Sequence, residues 1–313
     1  MKYVSFKQIL SIMEIVRKIL DPAEVNLIIY HGDCSDGFAA ALSGYLKYQN
    51  KIEYYFGAFS TTRDDPKLLT YIQQKQQPIN LLIVDFSYSR EFLIQLKSLV
   101  NKILVLDHHI SAQKELSDLS WCYFDQNRSG CTISWEYFMY NTNYPNLYKC
   151  IEDRDLWRWQ IKDNKEFTSA FYNLIPFDFE EYKKFIDNPE LIPLYIMKGE
   201  VILEYIKSEN IKRSKFVYKF TNNSGKRIGI VNITSNASEF GDHITTTTDI
   251  DFAILWSYNH VNNTVKIGVR SAKGSDNDCS ILSRKFNGGG HFNAAGFVWD
   301  KNISEFIEVL RSM

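Results

Sequence analysis

Asp107, His108 and His109 stand in succession, one carboxylate followed by two imidazoles. Burying all three in an apolar core would carry a heavy desolvation cost, so the run calls for water or a metal ion. A single histidine is more often a satisfied surface or core residue; three adjacent donors after an apolar run weigh toward ligation. A second set, His31, Asp33 and Asp36, lies in HGDCSDGFAAA, where oxygen and nitrogen donors precede a glycine and several small residues. Hard carboxylates with imidazole, and no positioned thiolate, suit manganese, magnesium or zinc and disfavour soft-ligand chemistry. Asp33 or Asp36 taken alone can equally well cap the helix that follows. Asp85, and Asp153 within Glu152-Asp153-Arg154-Asp155, carry no signal by themselves.

The elements around these residues decide whether they can meet. NLIIYHGD from Asn26, LLIVDFSYS from Leu81 and KILVLDHH from Lys102 are short apolar runs, and helix-favouring stretches such as DGFAAALSGYLKYQ and REFLIQLKSLV alternate with them. Buried strands alternating with helices predict a parallel sheet covered on both faces. His31, Asp85 and Asp107 each close an apolar run, placing all three at strand C-terminal ends, where open parallel sheets form their ligand crevice. From Ser129 to about Asp155 the spacing predicts two helices around Asn141 to Pro145, and Tyr182 to Lys212 reads as a helical connector. KFVYKF, KRIGIVNI, DFAILWSY and TVKIGVRS then read as strands of a second, sheet-rich domain beginning near Phe216. The expected architecture is α/β: a parallel-sheet domain over residues 1–181, a helical connector over 182–215, and a smaller α/β domain over 216–313.

Composition narrows the partners. A chain of 313 residues is long enough for two domains. Thirty-six Lys plus Arg against 37 Asp plus Glu leave a formal charge of -1, so no global positive field exists to hold long duplex DNA. Five scattered cysteines without a CxxC pair imply reduced thiols and a cytoplasmic location. The first residues, MKYVSFKQILSIMEIVRKIL, are amphipathic and interrupted by Lys7, Glu14, Arg17 and Lys18, unlike a signal peptide. No run approaches the roughly 20 apolar residues of a membrane span.

In the C-terminal part, NGGGHFNAAGF from Asn287 places Gly288, Gly289 and Gly290 in a row. Their backbone amides can approach an anion closely, with His291 as a donor beside them; a tight turn is the plain alternative. Arg270 ends TVKIGVRS, where a guanidinium could fork a phosphate.

HGDCSDGFAAA, VDFSYS, LDHHISA and IEDRDLWRW occur in the order of the four motifs of the DHH phosphoesterase superfamily, and the chain resembles a member. NGGGHFNAAGF resembles the glycine-rich signature of the DHH-associated substrate-binding domain found in one branch, so the likeness spans nearly the whole chain. The resemblance implies two manganese ions, with magnesium as an alternative, held by His31, Asp33, Asp36, Asp85, Asp107, His108 and Asp153. It implies Asp85, Asp107, His108 and His109 as catalytic residues, with Arg128, Ser129, Arg270, Gly288, Gly289, Gly290, His291 and Asn293 facing substrate. The implied reaction is in-line hydrolysis of short single-stranded oligonucleotides or dinucleotides to mononucleotides, as in RecJ-like exonucleases and cyclic-dinucleotide phosphodiesterases. A nucleoside bisphosphate phosphatase and a non-catalytic nucleotide sensor or scaffold are the alternatives, and a homodimer is compatible with all three. One departure stands out: many relatives place two aspartates two residues apart just before the first-motif glycine, whereas Cys34 lies two before Asp36. Either Asp33 substitutes, or one metal is held more weakly.

Overall fold

The computed structural model describes residues 6–57, 63–261 and 263–313. They form two compact units, with the break between Leu203 and Glu204. In the first, β1 (Leu27–His31), β2 (Glu53–Gly57), β3 (Asn80–Val84), β4 (Lys102–Asp107) and β5 (Cys122–Phe124) make a wholly parallel sheet in the order β2-β1-β3-β4-β5. Its helices are α1 (Phe6–Ile19), α2 (Ser35–Tyr48), α3 (Pro66–Gln73), α4 (Arg90–Leu99), α5 (Ile110–Leu116), α6 (Gly130–Met139), α7 (Asn146–Asp155), α8 (Asn164–Leu174), α9 (Phe179–Asp187) and the start of α10 (Leu191–Arg213).

Alternate residues of the central strands feed two cores, which is why these strands read as unbroken apolar runs. Ile28, Leu82, Val84, Leu104 and Leu106 pack on Met13 of α1, Leu42 of α2, Phe138 of α6 and Ile151 of α7. Leu27, Ile29, Leu81, Ile83, Ile103 and Val105 pack on Leu68 of α3, Phe92 and Leu96 of α4 and Leu116 of α5. Helices therefore cover both faces, as expected. The register pairs Tyr30 with Val84 and Val84 with Leu106, so His31, Asp85 and Asp107 follow at one level on three neighbouring strands.

Two details differ from the sequence expectation. The edge strands β2 and β5 were not foreseen: β5 has only three residues and β2 is half-exposed, so neither carries a long apolar run. The helical stretch from Tyr182 is two helices, α9 and α10, parted at Asn188. Pro189 disfavours the helical conformation in the residue before it, and Asn188 adopts φ −128°, ψ 76°.

The second unit holds a six-stranded sheet in the order β10-β11-β9-β8-β7-β6, built from β6 (Tyr218–Thr221), β7 (Arg227–Asn232), β8 (Phe252–Asn259), β9 (Thr264–Arg270), β10 (Gly289–Gly290) and β11 (Ala294–Trp299). Only β7 and β8 pair in parallel, and α11 (Ala237–Thr247) makes the crossover that such a pair requires. With α12 (Cys279–Arg284) and α13 (Ile303–Ser312), the sheet encloses Ile230, Ile254, Val269, Phe297 and Phe306. Among the described residues no helix is long and apolar enough to cross a membrane.

Candidate metal centre

Asp85 is the hinge of the first unit's polar cluster. It follows β3 in the left-handed region, φ +56°, a conformation aspartate tolerates better than most residues. Its backbone N–H is held by the Leu106 carbonyl at 2.9 Å. Two helices begin against its side chain, and both approaches need glycine. A Cβ on Gly37 in α2 would meet the His31 carbonyl oxygen at 2.4 Å and Asp85 Oδ2 at 3.0 Å; one on Gly130 in α6 would meet Asp85 Oδ1 at 2.6 Å. The small residues after the first motif thus admit a carboxylate to two helix entries.

Around it the other donors gather. His108 Nε2 lies 2.9 Å from Asp85 Oδ1, 3.6 Å from Asp36 Oδ2 and 3.7 Å from Asp155 Oδ2, while His31 Nδ1 lies 3.4 Å from Asp85 Oδ2. Asp36 also accepts hydrogen bonds from the Gly130 and Cys131 amides at 2.6 and 3.0 Å, placing its charge at the N-terminus of α6, where a helix favours an anion. Asp36, Asp85 and His108 are each about 1% exposed. Among the described residues no lysine or arginine lies within ion-pair distance of Asp36, Asp85 or Asp155.

Such crowding moves protons. Burial, then Asp85 and Asp155, push the Asp36 carboxyl well above the usual range, and burial, then Asp85, raise that of Asp155. Burial also opposes the charged form of Asp85, yet hydrogen bonds and charge from His108 and His31 hold it well below the usual range. Burial disfavours a charged His108, but Asp85, Asp155 and Asp36 together lift it well above an ordinary histidine. Protons thus offset part of the negative charge that a divalent cation would neutralise. Asp85 Oδ2 and Asp155 Oδ2 are buried and accept no hydrogen bond of good geometry. Oxygens so left, beside imidazole nitrogens, fit a hard divalent ion.

The expected ligands divide into groups. His31, Asp36, Asp85 and His108 converge. Asp107 lies within reach, with Asp85, His108 and His109, but its oxygens are spent: Oδ1 accepts from the His108 and His109 amides and His109 Nδ1, and Oδ2 accepts from Ser87 Oγ at 2.6 Å. Burial works against its charge; His109, His108 and Ser87 more than compensate and keep it below the usual range. Asp107 thereby fixes the His109 ring. Asp33 is exposed, at φ +53°, and joins none of the donor groups.

Asp153 is also turned elsewhere. Its Oδ1 accepts from the Gln160 amide at 2.8 Å, and its Oδ2 from Asn164 Nδ2 at 2.8 Å and the Ile161 amide at 3.3 Å. Asp155, two residues on and not selected from the sequence, faces Asp36 and His108 instead. A second residue that the sequence did not single out as a donor is Cys34: its sulfur lies within 4.8 Å of donor atoms of both His31 and Asp85, so a thiol is positioned after all. Burial, then the charges of Asp85, Asp155 and Asp36, push that thiol well above its ordinary value.

The expected substrate residues are more self-contained. The Arg128 guanidinium is buried against Asp125 at 2.9 Å, the Tyr123 hydroxyl at 2.8 Å and Glu136. Ser129 is fully buried, its amide donating to Glu152 Oε2 at 3.1 Å. In the second unit Arg270 donates to the Val269 and Ala295 carbonyls and to Ser238 Oγ. Gly289 and Gly290 form the short strand β10, Gly290 at φ +136°, and the His291 amide closes the turn on the Ala294 carbonyl at 2.8 Å. A Cβ on Gly288 would meet the Gly296 carbonyl oxygen at 2.2 Å, so that glycine serves strand packing. Asn293 Nδ2 bonds Ser271 Oγ and the Ala272 carbonyl.

No protein-family model matches the chain. An uncharacterized protein of Acanthamoeba polyphaga mimivirus is 30% identical over 294 residues, covering 90% of this chain and 69% of that one. Among solved structures, the DHH domain of a member of a ribosomal-protein family aligns with a TM-score of 0.62 at 16% identity, over 99% of this chain and 91% of its own. The chain has the fold of a DHH domain. RecJ of Thermus thermophilus, solved in complex with manganese, shares this fold with a TM-score of 0.51 at 11% identity; the match covers 98% of this chain and 55% of that longer one.

Proposed function

We propose that this chain is a member of the DHH superfamily and a divalent-metal phosphodiesterase that hydrolyses short single-stranded oligonucleotides or dinucleotides to mononucleotides. The observation that carries the reading is the group Asp36, Asp85, His108 and Asp155, the first three buried and the last half-buried, with His31 beside it and no lysine or arginine within ion-pair distance among the described residues. Manganese is the ion favoured, with magnesium as an alternative; the structure of the RecJ relative contains the former. His31, Asp36, Asp85, His108 and Asp155 would hold two ions, Asp85 touching both sets of donors. Asp155 takes the role that the sequence suggested for Asp153. Bound there, divalent ions supply an ionised water near neutral pH and neutralise charge on a phosphoryl group.

The protein's own residues do the rest. Asp107 grips His109 Nδ1 at 2.6 Å, orients the ring and favours its charged form, so that its other nitrogen can donate to a phosphoryl oxygen. Burial, the largest influence, disfavours that charge; Asp107 overcomes it. The unit from Glu204 onward is proposed to carry the remainder of the substrate, with Arg270, His291, Asn293 and the amides of Gly288 to Gly290 as its polar surface and aromatic rings for base stacking. The near-neutral charge favours short substrates over long strands. A cytoplasmic location accords with this reading.

The test is product analysis by mass spectrometry after incubation with manganese and a panel of graded RNA and DNA oligomers, cyclic and linear dinucleotides and a nucleoside bisphosphate. Mononucleotides released by the wild type and not by Asp85→Ala support the reading. Phosphate release from the bisphosphate alone would replace it with a phosphatase, and no turnover with metal bound would make the protein a sensor.

A further inference from the structure

Two sets of donors meet at Asp85, which belongs to one and contacts His108 of the other at 2.9 Å, and they are chemically unlike. One is Asp36, His108 and Asp155, with two carboxylates and an imidazole; the other is His31, Cys34 and Asp85, with a thiol in it. Cys34 precedes α2 at φ −130°, ψ 128°, an extended conformation ahead of the helix entry. Its sulfur lies within 4.8 Å of His31 and Asp85 donor atoms, and the buried Asp85 Oδ2, 3.4 Å from His31 Nδ1, accepts no hydrogen bond of good geometry.

We propose that Cys34 is a metal ligand, and that it makes the His31–Cys34–Asp85 position select a thiophilic divalent ion, such as zinc, cobalt or ferrous iron, over manganese. The Asp36–His108–Asp155 position keeps the preference for a hard ion. This rests on the reading of the cluster as a metal centre and adds to it that the centre is mixed. The physical reason is ligand softness: a thiolate binds zinc and cobalt far better than it binds manganese or magnesium, whereas carboxylates discriminate little. On coordination the thiol gives its proton to solvent and the sulfur donates one lone pair to the ion, with no change of oxidation state. The substitution of a thiol for the aspartate that many relatives carry would thus alter which metal arms the site without altering the fold around it.

Cobalt(II) separates the possibilities, because a cobalt–thiolate bond absorbs in the near ultraviolet while visible bands report bound cobalt whatever its ligands. The full chain, stripped of metal and titrated with cobalt, should show the thiolate band in the wild type and in Cys122→Ser, a control on the edge strand β5. Cys34→Asp should lose that band while keeping the visible bands. In competition between zinc and manganese, read by elemental analysis of the washed protein, Cys34→Asp should lower the zinc-to-manganese ratio on the order of tenfold or more, the scale on which even outer-shell changes alter metal affinity. Bound cobalt without the thiolate band, or a band that survives Cys34→Asp, overturns the proposal and leaves the metal-centre reading standing. A wild type that binds no cobalt overturns both. Circular dichroism of Cys34→Asp checks its fold, and Cys34→Ser, which keeps size and loses the sulfur, gives the same readout if the aspartate variant misfolds.

Discussion

Acids in the two units are balanced in opposite ways. In the second unit Asp251 meets Arg227 directly: its Oδ2 accepts from the Arg227 amide at 2.8 Å and Nε at 3.2 Å, and its Oδ1 from Nη2 at 2.9 Å. Charge is neutralised where it arises, within the folded chain. In the first unit Asp36, Asp85 and Asp155 face one another with imidazoles as their only nearby cations among the described residues. The first arrangement is complete and therefore structural. The second sets carboxylates side by side with imidazoles alone to offset them, an arrangement of shifted proton affinities that clusters at functional sites. A residue's type does not separate the two cases; its unspent oxygens do.

The largest expected effect follows from removing the shared carboxylate. Asp85→Asn should cut turnover by about 10³-fold or more, matching the several kcal/mol that metal ions contribute to transition-state stabilisation. Its metal-free form should stay folded but melt somewhat below wild type, because His108 and His31 lose the carboxylate that they hold ionised. Activity close to wild type, or a collapse of the metal-free fold, would break the contrast drawn above.

Next in size is Asp107, whose oxygens are spent on Ser87, His109 and the loop amides. As an outer partner that orients a donor, it should act indirectly. Asp107→Asn is expected to lower manganese affinity or turnover by about 10- to 100-fold. Titration calorimetry and initial rates measure the two losses separately; a loss as deep as that of Asp85→Asn would place Asp107 on the metal itself.

A finer comparison lies within one turn of α7. Asp155 has an unspent buried oxygen, and Asp153 has none. Asp155→Asn should weaken metal binding without lowering metal-free stability. Asp153→Asn should do the reverse, losing about 1–3 kcal/mol in urea unfolding as its amide partners go unsatisfied. If the two variants exchange these signatures, the assignment of Asp155 to the metals is wrong.

That pair also marks where sequence reading ends. His31, Asp85 and Asp107 were legible because each closes an apolar run, and parallel register then levels strand ends automatically. The choice between Asp153 and Asp155 was not. It depends on Trp157 and Trp159, both at positive φ (50° and 54°), which fold the chain back so that the amides of Gln160 and Ile161 point at Asp153. Nothing in two tryptophans announces left-handed backbone. Arg128 is a similar case: the family resemblance implied a substrate contact, but Glu136, eight residues on and fully buried, claims the guanidinium. Cys34 was visible as a departure from a motif, while its proximity to His31 and Asp85 needed coordinates.

The smallest expected effect concerns the completed pair. Arg227 holds the Asp251 carboxyl down to about 2, against an ordinary 3.8. A depressed folded-state value means that the pair's stabilisation is present above the unfolded value near 3.8 and disappears as pH falls toward about 2. Arg227 is 43% exposed, so solvent screening keeps the contribution small. Asp251→Asn should therefore melt slightly below wild type at pH 5, and the gap should close by pH 2. Added manganese should leave that gap untouched, because the pair already contains its own cation. Were manganese to widen or abolish it, the two ways of balancing acid in this molecule would not be independent.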